Sequence, residues 1–265
     1  MGCPREVCRP SQIVFLKYNR WMVQTLSQIK ALLDAHGLRP KHRFGQNFLH
    51  DAQKMEAILR DATIVPGDLV LEVGPGTGAL TTRLLAAGAK VAMVEIDTDL
   101  VPILQMVCQE HAGQAQLLVG DILQGKHAIN PGAIELLKQM GLGSTHDSFK
   151  LIANLPYHVA SPLIVNLVVD HPQMSGAVVM VQKEVAQRLM ARPGGKDYGQ
   201  LGIMVQMMCH VKSVATLPPG CFWPPPSIDS MVVALSRRDQ PMTDNPHGMS
   251  ELLQRLFQQR RKQLG

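Results

Sequence analysis

Five short apolar runs, at residues 69–73, 91–96, 116–119, 151–153 and 177–181, recur along the middle of the chain, each bounded by Gly, Pro, Asp or Asn. Helix-length stretches separate them. Short apolar runs without polar alternation are strands buried on both faces, and strand–helix alternation leads to a parallel sheet with helices on either side. The fold expected is therefore α/β. Ahead of the first run, residues 27–38 read as an amphipathic helix ended by Gly37 and Pro40, while residues up to about 24 show no period. Beyond the last, a helical run at 201–208 leads to strand-like segments at 211–217 and 231–235 around the Pro-rich bend 218–226. That pattern predicts a hairpin closing one sheet edge. Residues 239–247 read as a linker and 251–264 as a basic amphipathic helix. Three parts follow: a poorly ordered extension over 1–26, a main domain over 27–238, and the start of a helical domain over 239–265.

Composition narrows the class. With 265 residues, 46% of them hydrophobic, the chain can bury a sizeable core, and no apolar run reaches the roughly 18 to 20 residues that cross a bilayer. No membrane contact is expected. The apolar patch at 13–16 is too short for a secretory signal, and Arg5, Arg9, Lys17 and Arg20 against Glu6 leave a mitochondrial presequence as the lesser alternative to a cytoplasmic location. Cys3, Cys8, Cys108, Cys209 and Cys221 form no CxxC pair and the histidines are scattered, so no metal is expected and reduced thiols fit best. A net charge of +5 is compatible with a polyanionic partner, and an aromatic content of 4% argues against a broad base-stacking platform. Nucleic acid would be held through phosphates and shape, with Lys41, Arg43, Arg260, Arg261 and Lys262 as candidates.

Chemistry concentrates at the strand ends. The first run continues into glycines at 74, 76 and 78, a GxGxG turn that lets backbone approach a ligand and is shorter than the dinucleotide cradle, as suits a ligand without a pyrophosphate. The second run ends in Val94-Glu95-Ile96-Asp97, which puts Glu95 about twenty residues beyond the glycines, where a carboxylate takes a ribose hydroxyl pair. Asp121 follows the third and can accept from an adenine amino group. The fourth run ends in Asn154-Leu155-Pro156-Tyr157. An adenine amino nitrogen is a poor nucleophile because its lone pair is delocalised into the ring. Two acceptors for its N–H bonds, the Asn154 side-chain oxygen and the Leu155 carbonyl, would push it toward a tetrahedral shape, and Pro156 biases Leu155 to the extended backbone that presents that carbonyl. Tyr157 offers a flat face for a base taken out of its stack.

These residues resemble the small-subunit ribosomal RNA adenine dimethyltransferases, with the erythromycin-resistance RNA methyltransferases as nearest cousins. The resemblance runs from about Gln28 onward. It rests on Gly45-Gln-Asn-Phe-Leu49, the run from Glu72 to Thr81, Val94-Glu-Ile-Asp97, Gly120-Asp-Ile122, the tetrapeptide at 154, the segments 182–189 and 192–199, and Phe222-Trp-Pro-Pro-Pro-Ser-Ile-Asp-Ser230. It implies a class I S-adenosylmethionine-dependent methyltransferase core, Rossmann-like with a mostly parallel seven-stranded sheet, and a small C-terminal helical domain. Carried over by position, Asn47, Leu49, Gly74, Gly76, Glu95, Asp121 and Asn154 are the implied cofactor contacts, and Phe222 packs on the far side of the adenine held by Asn154 and Tyr157. The implied partner is small-subunit ribosomal RNA, or the immature small subunit, methylated by a monomer at two adjacent adenosines.

Three departures stand out. His158 occupies a position that is usually Asn in the dimethyltransferases and often His in the resistance enzymes. Residues 124–148 are longer than usual and read as a Gly-rich surface insertion. The helix at 257–264 normally continues, so part of the small domain is expected to be missing. A large-subunit resistance enzyme, and a ribosome-assembly or transcription factor that kept the fold without catalysis, stay open as alternatives.

Overall fold

Residues 24–125 and 128–258 are described by the computed structural model of the chain. The elements are α1 (Leu26–Ala35), β1 (Phe48–Leu49), α2 (Ala52–Ala62), β2 (Leu69–Val73), α3 (Ala79–Ala86), β3 (Lys90–Glu95), α4 (Val101–Glu110) and β4 (Ala115–Val119). There follow α5 (Pro131–Gln139), β5 (Phe149–Asn154), α6 (Tyr157–Asp170), β6 (Met174–Gln182), α7 (Lys183–Leu189), α8 (Gln200–Met208), β7 (Cys209–Leu217), β8 (Phe222–Trp223), β9 (Ser230–Arg237) and α9 (Pro246–Gln258). Seven strands form one sheet in the order β4-β3-β2-β5-β6-β9-β7, parallel from β4 to β6 and antiparallel for β9 and β7. This is the expected Rossmann-like, mostly parallel sheet.

The two-residue period of a strand sends alternate side chains to opposite faces. Leu71, Leu151, Ala153 and Val179 join the core beneath α5, α6, α7 and α8, while Val70, Ile152, Val178 and Met180 join the core beneath α2, α3 and α4. Both faces are covered, which is why the runs read as continuous hydrophobics. A third, smaller cluster of Ile29, Leu33, Phe48, Leu100 and Ile103 packs α1 against the start of α4. The edge strand β7 exposes polar residues including Lys212 and carries a bulge between Ser213 and Ala215, two features that discourage pairing with another edge.

Three expectations are corrected. The stretch 124–148 is not a surface insertion: its α5, capped by Asn130, buries Ala133, Leu136 and Leu137 in the main core, followed by Met140 and Leu142. Joining β4 to the parallel β5 requires a crossover, and this helix is it. The linker at 239–247 gives way to α9 from Pro246 onward, because Asn245 Oδ1 accepts from the Gly248 N–H at 2.9 Å and Pro246 occupies the first helical position. Leu253 is buried, and Phe257 meets Tyr198 edge-on at 6.4 Å. The expected end of that helix at 264 lies outside the described residues. At the other end, α1 begins inside the supposed extension, set by a Thr25–Gln28 capping box, and Gln24 hydrogen-bonds Thr77 through both its side-chain atoms. The rest of the extension, 1–23, also lies outside the described residues.

Candidate active site

From β2 the chain first builds outward through β3 and β4, then returns to the other flank of β2 with β5 and β6. The order therefore reverses between β2 and β5, the place where open α/β sheets leave a ligand crevice above the strand ends. One crevice here is lined by every site residue named from sequence: Asn47, Leu49, Gly74, Gly76, Glu95 and Asp121 on one side, and Asn154, Leu155, Pro156, Tyr157 and Phe222 on the other.

The glycine turn makes the floor. Gly74 (φ +67°) donates its N–H to the Val94 carbonyl at 2.9 Å, which ties the turn to β3. Gly76 (φ +62°) sits where a Cβ would come within 3.1 Å of the Phe48 ring, so a side chain there is strained in conformation and would press the ring aside. Glu95 is 4% exposed, its Oε2 accepting from the Gly76 N–H at 3.2 Å and its Oε1 from the Asp97 N–H at 2.9 Å. Burial pushes this carboxyl above its ordinary range, against the pull of those donors. Each oxygen keeps a lone pair. Asp121 is more open; its Oδ1 accepts from the Leu123 N–H at 2.9 Å, and Asn130 Nδ2 donates to its backbone carbonyl at 2.7 Å.

The segment before β1 is pinned over the floor. Lys41 bonds both Asp97 and Asp99, and Gln46 donates to Asp97 at 2.6 Å. Burial alone would raise the Asp97 carboxyl, but the Lys41 and Gln46 donors bring it below the ordinary value, and the two carboxylates raise the Lys41 ammonium. Lys41, expected to meet RNA phosphate, is thus committed to a loop fastening. Arg43 lies against the Phe44 ring at 4.7 Å, while Arg260, Arg261 and Lys262 lie outside the described residues.

Asn154 ends β5 and donates its Nδ2 to the Asn47 carbonyl at 2.9 Å, which turns its Oδ1 the other way as an acceptor. The Leu155 N–H bonds the Met180 carbonyl at 3.2 Å, and Pro156 (φ −56°, ψ 135°) opens α6. Tyr157, the first residue of that helix, places its hydroxyl 3.1 Å from Ser230 Oγ. His158 is exposed at the rim. Phe222, 3% exposed, lies in β8, where it pairs with Leu49 of β1, so the two sides of the crevice are clipped together.

Sequence reasoning missed Phe48, Glu72 and Ser230. Glu72 is the one carboxylate inside the apolar run of β2, a signal that was visible. It is 1% exposed with Oε2 unpartnered, and burial, with the charge of Glu95 adding, pushes it up to about 8. The donor set fits a cationic nucleoside without a pyrophosphate: a glycine floor that a Cβ would fill, a fixed buried carboxylate, and an unsatisfied carboxyl oxygen beside them. Among the described residues no cluster of His, Cys, Asp or Glu could hold a metal, and no helix is long and apolar enough to cross a membrane.

Fold and crevice together define a class I S-adenosylmethionine-dependent methyltransferase. The family model for ribosomal RNA adenine dimethylase matches residues 37–265, and the chain belongs to that family. It is 42% identical over 234 residues to the ribosomal RNA small subunit methyltransferase A of Pseudomonas fluorescens, covering 85% of this chain and 80% of that protein. The Clostridium perfringens protein of the same name is 37% identical over 237 residues, covering 89% and 79%. Among solved structures, a dimethyladenosine transferase from Plasmodium falciparum superposes with TM-score 0.68 at 30% identity, over 82% of this chain and 73% of that one. The 23S rRNA methyltransferase ErmE does so with TM-score 0.60 at 21% identity, over 80% of each chain, a likeness of fold alone.

Proposed function

We propose that this chain transfers methyl groups from S-adenosylmethionine to the N6 amino groups of two adjacent adenosines in small-subunit ribosomal RNA. The observation that carries the reading is the Asn154–Tyr157 segment, fixed at the switch point by bonds to Asn47 and Met180 and opening on the same crevice as Glu95 and Gly76. The higher identity to small-subunit enzymes than to the 23S enzyme favours the small-subunit substrate over the resistance alternative.

In this reading Glu95 accepts from the ribose hydroxyls of the cofactor, Asp121 from its adenine amino group, and Asn47, Leu49, Gly74 and Gly76 hold its remaining edge. The bound cofactor supplies an electrophilic methyl group on its sulfonium. Asn154 Oδ1 and the Leu155 carbonyl accept the two N–H bonds of the target amino group, freeing its lone pair. Tyr157 and Phe222 sandwich the extruded base. The amino proton leaves to solvent, so the protein contributes orientation and polar preorganisation rather than a strong base. A monomer working on the immature small subunit in the cytosol belongs to the same reading, supported by the guarded β7 edge, the free thiols of Cys108, Cys209 and Cys221, and the net positive charge.

Nucleoside mass spectrometry of small-subunit and large-subunit RNA, each after incubation with the protein and labelled cofactor, tests it. N6,N6-dimethyladenosine carrying the label is the expected product. Label confined to large-subunit RNA would favour the resistance-type enzyme, and cofactor binding without transfer would favour an assembly factor.

A further inference from the structure

Ser230 ends the Pro-rich segment from Phe222, a stretch to which the proposed mechanism assigns only its first residue. We propose that Ser230 is a positioning residue for methyl transfer, its hydroxyl holding the Tyr157 ring in one place so that the target adenine is stacked at one position in the crevice; this rests on the proposed function. Its Oγ lies 3.1 Å from the Tyr157 hydroxyl. Ser230 is 2% exposed and opens β9, where Met231 to Leu235 are all apolar. A buried hydroxyl at such a place is unfavourable unless it is hydrogen-bonded, and an alanine would need no partner.

The backbone at Ser230 is also held from two directions. Ser230 stands opposite Gln182 of β6 and Leu217 of β7 at once, so its backbone is held from both sides of the ladder. The neighbouring Asp229 carbonyl accepts from the Lys183 N–H at 3.0 Å, and its carboxylate pairs with the Lys183 ammonium at 3.2 Å. Tyr157, by contrast, is half-buried at the first position of α6, where its side chain can swing about Cα–Cβ unless something holds its far end. Anchored at Cα by the helix and at the hydroxyl by the sheet, the ring's long axis has one direction and its tip one position. A stacked base is placed by the position of the ring beneath it, and methyl transfer needs the amino nitrogen in line with the departing methyl. Stacking alone would let Phe replace Tyr157 almost without loss; a tethered ring changes that expectation.

The test is a double-mutant cycle on small-subunit RNA using Ser230→Ala, Tyr157→Phe and the double variant, with Ser230→Thr as the variant that keeps a hydroxyl. Each single variant is expected to lose about tenfold in kcat. The double variant should lose no more than either, and Ser230→Thr should recover most of the rate. KM for RNA and calorimetric cofactor affinity should stay within about twofold. Equal kcat for Ser230→Ala and wild type, multiplicative losses in the cycle, or a fall in cofactor affinity and Tm that tracks the fall in rate would each overturn the positioning role. A wild-type protein that methylates no adenine would overturn the proposed function, and this role with it.

Discussion

Both oxygens of Glu95 already accept a backbone N–H, and that is what makes the carboxylate a fixed acceptor rather than a solvated one. Glu95→Ala is expected to weaken S-adenosylmethionine binding by about 1 to 3 kcal/mol, since it strands the ligand hydroxyls and also frees the Gly76 N–H. Asp121→Ala should cost less, its carboxylate being exposed. Titration calorimetry with unchanged affinity in both variants would remove the cofactor assignments. Asn154→Ala should mainly lower kcat, because its oxygen matters most as the amino nitrogen becomes tetrahedral, with a smaller binding loss from the unpaired Asn47 carbonyl. Single-turnover rates that match wild type would exclude that role. At this scale the glycine turn, Glu95, Asp121 and the Asn154–Tyr157 segment were legible because each sits at a strand end marked by a change from apolar to polar, whereas Asn47, Leu49 and Phe222 came only from the family resemblance. Ser230 and Phe48 were not, since what defines them is a partner more than twenty residues away in sequence, Tyr157 for one and Gly76 for the other.

Among the elements, the two-residue strands β1 and β8 do more for the crevice than their length suggests. They pair Phe48 with Trp223 and Leu49 with Phe222, and the Phe48 ring fills the space over Gly76 while stacking on Trp223 at 6.5 Å. Phe48→Ala would leave a cavity and is expected to destabilise the protein by about 3 to 5 kcal/mol, while also weakening cofactor binding. A urea melt with an unchanged midpoint would show that the clip is dispensable. Two residues have no period, so no reading of hydrophobic pattern could find these strands. The long strands were found, β2 at its full length and most others one to four residues short, in part because their ends carry polar residues such as Lys90 and Asn154 that still pair. The α5 helix was missed for a different reason: its flanking glycines, at 125, 141 and 143, resemble loop composition, while Ala133, Leu136 and Leu137 supply its buried stripe.

Across the whole molecule, the buried Glu72 ties stability to pH. Its folded pKa of about 8 stands above the ordinary 4.5, so the folded state keeps a proton that the unfolded state releases. Stability should therefore fall as pH rises from about 4.5 to 8 and then level off. Glu72→Gln carries no such proton, and its advantage over wild type should grow across that window by an amount on the order of a few kcal/mol. Equal differences in denaturation midpoint at pH 5 and pH 8 would contradict this.

The sheet order has a consequence in time. Translation delivers the glycine turn, Glu95, Asp121 and Asn154 first, and β9, which must slip between β6 and β7, after both of them. Roughly 50 residues separate the end of β6 from the start of β9, a few seconds of synthesis. Until β9 is made, one flank of β6 lacks its partner strand and the Tyr157 hydroxyl lacks Ser230. The residues proposed to hold the methyl donor are thus made before the residue proposed to aim a base at it.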